Sequence, residues 1–177
     1  MPRRFLSLRI IGYALCLAFG LSLSAAVAAR SESEIKAFYL YNFIKFITWP
    51  SEPSDADINI CIAGDNPFSS LTEKLNSLKA RKRKIQLVSA ADIALSECSV
   101  MFLSESESNF YEELLASLAG KPVLTISDIG GFIEHGGMIG FIKVGNVVRF
   151  EINLKSARAA GLEMSAKLLE LASRVEQ

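Results

Sequence analysis

Ile58-Asn59-Ile60-Cys61-Ile62-Ala63, then Phe68 to Leu78, Ile85 to Val88, Cys98 to Leu103, Asn109 to Leu118 and Val123 to Ile126, set short apolar runs in alternation with helical patterns. Such alternation predicts parallel β-α-β units, because a crossover helix brings the chain back to begin a parallel neighbour. Asn109 with Glu112 three positions later has the spacing of a capping box, which predicts a crossover helix starting there. Pro122 is compatible with the start of the next strand, where a ladder N–H can be spared.

Toward the C-terminus the pattern changes. Ser127-Asp128-Ile129-Gly130-Gly131 and Glu134-His135-Gly136-Gly137 read as turns, with the glycines serving as backbone devices. Met138 to Val144 and Val147 to Ile152 read as a hairpin joined by Gly145-Asn146, a weaker signal than Asn-Gly. Helical periodicity resumes from Ala157 to Ala172 and breaks at Gly161. The expectation is a single-domain α/β fold, a mostly parallel sheet flanked by helices with a C-terminal antiparallel hairpin.

Toward the N-terminus, Glu34 to Thr48 has no glycine or proline and stops at Trp49-Pro50, which predicts a helix over that range. Apolar residues cover nearly its whole circumference, so more than one side is expected to be buried. Part of its aromatic surface, with Phe38, Tyr41, Phe46 and Trp49 as candidates, can instead seek a partner chain, since aromatics are enriched in interface cores. Both readings can hold on opposite faces.

Further upstream, Arg3, Arg4 and Arg9 precede an apolar run from Ile10 to Leu23 that ends in small residues. That is the layout of a secretory signal peptide, with cleavage expected after Ala28: residues 1–28 would be the leader and residues 29–177 the domain. The run is short for a spanning helix. Cys16 lies inside it behind Leu15, whereas a lipid-modified cysteine would follow a small residue at the cleavage point. The formal net charge is +0, but loss of those three arginines leaves 16 basic against 19 acidic side chains, about −3. Such a balance does not point to nucleic acid. The basic cluster Arg81-Lys82-Arg83-Lys84 reads as a solvated turn, with a polyanion or membrane-surface patch as the alternative.

Two cysteines, Cys61 and Cys98, survive processing, and an even count in an exported chain favours a disulfide. They fall in the first strand and at the start of the third, which are often neighbours in a doubly wound sheet. No pattern calls for a catalytic residue, metal or cofactor. His135 is the only histidine and has no cluster at ligand spacing, the glycine block leads into a strand instead of opening a helix, and no G-x-S-x-G elbow exists. In an open parallel sheet the carboxyl ends of the strands form the default ligand crevice, and there the sequence supplies Asp65, Asn66, Ser104 and Asp128. These rim candidates leave a small-ligand sensor open, although aspartates there also serve as turn and cap residues.

Five ordered blocks carry a resemblance over essentially the whole chain after the leader: Ala37 to Pro50, Gly64-Asp65-Asn66-Pro67-Phe68, Gly120 to Asp128, Gly136 to Phe141 and Arg149 to Asn153. Together they resemble the YfiR family of periplasmic proteins. The resemblance implies a regulator that restrains an inner-membrane diguanylate cyclase by contacting its periplasmic region, lowering cyclic-di-GMP and biofilm formation. It also implies self-association as a homodimer, sequestration by an outer-membrane lipoprotein and a disulfide at Cys61 and Cys98.

Overall fold

The computed structural model describes residues 30–51 and 56–177; the expected leader, residues 1–28, lies outside them. Helix α1 (Glu32–Phe46) begins at a capping box, in which the Ser31 hydroxyl accepts from the Glu34 N–H and the Glu34 carboxylate accepts from the Ser31 N–H. It ends two residues before the predicted Thr48, because Ile47 turns extended and β1 (Ile47–Thr48) pairs antiparallel with β9 (Glu163–Met164).

The remaining elements run in chain order: β2 (Ile58–Ala63), α2 (Thr72–Asn76), β3 (Lys79–Ala80), β4 (Arg83–Ser89), β5 (Val100–Leu103), α3 (Tyr111–Leu118), β6 (Leu124–Ser127), β7 (Ile139–Val144), β8 (Val147–Asn153), α4 (Leu154–Ala159), β9, α5 (Ala166–Leu171) and β10 (Arg174–Glu176). The main sheet has the order β10-β8-β7-β6-β5-β2-β4-β3. β2, β4, β5, β6 and β7 run parallel, while β7–β8 and β3–β4 are antiparallel ribbons. The α/β expectation with a mostly parallel sheet and a late hairpin therefore holds, with a small second sheet added.

The capping expectation at Asn109 does not hold. α3 starts at Tyr111 with Phe110 at the cap position and no side-chain cap. The C-terminal periodicity resolves into α4 and α5, each capped by a polar side chain: Asn153 accepts from the Ser156 N–H and Ser165 from the Leu168 N–H. Between and after them lie β9 and β10, which are too short to show a period of their own.

Strand alternation divides the core in two. Ile58, Ile60, Ile62, Val100, Phe102, Leu124 and Ile126 face α1 and join Phe43, Phe141 and Phe150 in the larger cluster. Cys61, Met101 and Leu103 point the other way, into a smaller cluster with Tyr111, Leu118 and Phe132. Cys61 and Cys98 form a disulfide on that side, with Cα atoms 5.8 Å apart. Gly137 is fixed by this packing, since a Cβ there would lie 2.2 Å from the Phe132 ring.

Candidate functional site

The strand order places the rim where the sequence put it. The chain moves from β2 to β4 on one side and then to β5 on the other, so the topological switch lies between β2 and β5, where ligands of such sheets bind. Asp65 and Asn66 follow β2, Ser104 follows β5 and Asp128 follows β6, three adjacent strands.

The protein's own side chains occupy that crevice. The Ser106 hydroxyl accepts from the Asp65 N–H at 2.9 Å and lies 3.0 Å from the Ser104 hydroxyl. Gly64, at φ +80°, admits them: a Cβ there would stand 2.2 Å from Ser106 Oγ and 2.9 Å from Glu107 Cγ. Asn66 is engaged in a turn, accepting from the Phe68 N–H at 2.8 Å. Asn66 and Ser104 thus act as turn and cap groups beside a switch point that Ser106 fills.

Asp128 belongs to a different arrangement, one the sequence reading missed. Lys36 lies among apolar residues on α1, yet its ammonium donates to Asp128 Oδ2 at 2.7 Å and pairs with Glu32 at 2.7 Å; Glu32 also pairs with Lys143. Burial pulls the Lys36 ammonium toward neutrality, but the hydrogen bonds from Asp128 and Glu32 outweigh it and hold the pKa above the ordinary lysine value. Glu32 is held below the ordinary carboxylate value, chiefly by its hydrogen bond to Lys143 and next by that to Lys36. These charges border a groove of about 410 Å³ floored by Phe141 and Val148. The chain fastens the first half of α1 to the sheet.

The aromatic candidates on α1 divide sharply. Phe38 is 56% exposed. Tyr41 is half-buried, donating its hydroxyl to the Lys79 carbonyl at 3.2 Å, with the Lys45 ammonium 5.2 Å from its ring centre. Phe46 is half-buried beneath the Lys167 ammonium, and the Trp49 indole N–H donates to the Ser99 carbonyl at 3.3 Å. Of the four, only Phe38 presents most of its surface to solvent. Phe110, just before α3, is another exposed aromatic and was not among the candidates.

His135 is a loop residue: its Nδ1 lies 2.8 Å from the Gly131 carbonyl, and its ring meets the Tyr111 ring edge-on. Among the described residues no group of three His, Cys, Asp or Glu side chains could hold a metal ion. None of their helices is long and apolar enough to cross a membrane.

A capped, largely apolar entry helix, a switch point closed by serines and a disulfide beneath the sheet describe a scaffold that presents a surface. Residues 33–173 match the YfiR/HmsC-like family model. The chain belongs to the YfiR/HmsC-like family. The match begins inside α1 and ends just before β10, so it covers every element described above except that edge strand. YfiR/HmsC-like proteins are periplasmic, non-catalytic regulators of diguanylate cyclase signalling.

Proposed function

We propose that this protein inhibits an inner-membrane diguanylate cyclase by binding its periplasmic region through the outward face of α1 around Phe38. In doing so it lowers cyclic-di-GMP and biofilm formation. The observation that carries the reading is the exposure of Phe38 on a helix whose other aromatic residues are held by the protein itself, as is Trp49 just after it. An exposed aromatic on a rigid helix loses little conformational freedom on docking, which is why such residues act as interface anchors.

The Lys36–Asp128 pair supports the same reading by fixing the helix before a partner arrives. A homodimer and an outer-membrane lipoprotein that sequesters the protein complete the proposal, each competing for or extending the same kind of surface. The small-ligand alternative is disfavoured by the filled switch point: a ligand there would have to displace Ser106 and Glu107 from against Gly64.

Co-purification tests the proposal. Protein tagged and recovered from the periplasm should retain the detergent-solubilised cyclase, and Phe38→Glu should lose it while keeping the melting temperature of the parent. Retention of the cyclase by Phe38→Glu at parental affinity would place the contact elsewhere.

A further inference from the structure

The β3–β4 ribbon carries charge that its own stability does not call for. Its turn residues are Arg81 and Lys82, at φ 53° and 69°, the left-handed geometry in which asparagine and glycine are the low-strain residues. Lys79 and Lys84 are partners across the antiparallel register, so their side chains leave the same face, where like charges repel. Lys79, Lys82 and Lys84 are exposed, as is Lys45 on α1. Tyr41 joins the two elements into one surface, its ring under Lys45 and its hydroxyl on the Lys79 carbonyl. Among the described residues none of these four lysines makes an ion pair, in a chain with no net basic charge. Protection of the sheet edge accounts for a lysine on β3. It does not account for a lysine in a left-handed turn, or for one lysine set opposite another.

We propose that this lysine-bearing face, centred on the β3–β4 ribbon and Tyr41, binds the anionic headgroups of a lipid bilayer. A bilayer fits better than an acidic polypeptide because three of the four lysines stand on an open ribbon at the outer edge of the sheet, with Lys45 beside it on α1. The four lysines line neither the groove beside Lys36, nor the cleft of about 480 Å³ beside α3, nor the cleft of about 490 Å³ below Trp49, which Arg83 alone of the ribbon's cations borders. A peptide is held by a cleft, whereas a plane of phosphates is met by a protruding face with a tyrosine at its border. The face adjoins Phe38 without including it, so lipid binding and partner contact rest on different side chains.

Co-sedimentation of the exported protein with vesicles tests this, using phosphatidylcholine alone against an equimolar mixture with phosphatidylglycerol. The expected result is binding to the anionic vesicles only, weakening as salt is added. Lys82→Gly, which also relieves the turn, should remain folded and bind about fivefold more weakly, and Lys79→Ser/Lys82→Gly/Lys84→Ser about a hundredfold. Equal binding to both vesicles, no binding to the anionic ones, or an unchanged partition for Lys82→Gly would overturn the proposal. Retention on immobilised polyglutamate without vesicle binding would overturn it in favour of an acidic polypeptide.

Discussion

The two faces of the sheet are held by different means. On the α1 side Phe43 stacks against Phe141 at 5.9 Å and meets Phe150 edge-on at 4.9 Å, with Tyr39 touching all three rings. On the α3 side the buried cluster is smaller and the Cys61–Cys98 disulfide ties the middle of β2 to the approach of its neighbour β5. Apolar burial scales with area, so the broad face can stand on packing alone, while the narrow one gains from a covalent tie. The face that stands on packing is also the one whose helix presents Phe38.

The largest effect should come from the aromatic face. Phe43→Ala removes a side chain that is 1% exposed and touches three rings, and should cost about 3 to 5 kcal/mol, measured by urea unfolding. A cost below that of losing the disulfide would reverse the ranking of the two faces. On the α3 side, Cys61→Ala/Cys98→Ala opens a loop with a sequence separation of 37 and should cost about 3 to 4 kcal/mol in the chain-entropy model, less any native strain. Titration of free thiols in the denatured, unreduced exported protein would show that the tie does not form in the cell.

A smaller effect is expected at the border of the aromatic face. Glu32 has its folded pKa depressed below the ordinary 4.5, so the stability it contributes is complete above that value and is lost as pH falls through the folded one. Thermal melts across the acid range should therefore show a shallower loss for Glu32→Gln than for the parent. Identical acid limbs would mean that the Lys143 and Lys36 contacts carry no stability. Smallest of all, Lys82→Gly should raise stability by about 0.5 to 1 kcal/mol, since glycine tolerates the φ of 69° better than lysine.

Most of the sheet was legible because β2, β5 and β6 are buried parallel strands, which read as short apolar runs, and β4 carries buried Ile85 and Leu87 in alternation. Three features were not. The capping box of α1 lies at Ser31 and Glu34, three residues ahead of the start the apolar pattern suggested, in a polar stretch with no apolar period to mark a helix. Asn109 and Glu112 have capping spacing, but the chain enters α3 one residue later, at Phe110. β1 and β9 owe their extended geometry to each other, a long-range pairing that no local window contains. The rim residues follow the strands at whose ends they were expected, yet the filling of the crevice by Ser106 depends on a contact with Asp65 across a sequence separation of 41, beyond any local window. Lys36 was visible only as an interruption in an apolar helix, and Asp128, its partner, lies 92 residues along the chain.

Cellular cyclic-di-GMP, measured in a strain whose own copy has been replaced by Phe38→Glu or by Asp65→Asn/Ser104→Ala, tests the contact account most directly. The account predicts that Phe38→Glu raises cyclic-di-GMP to the level of a deletion strain, while the rim variant remains as inhibitory as the parent. Full inhibition by Phe38→Glu together with loss of inhibition by the rim variant would contradict it.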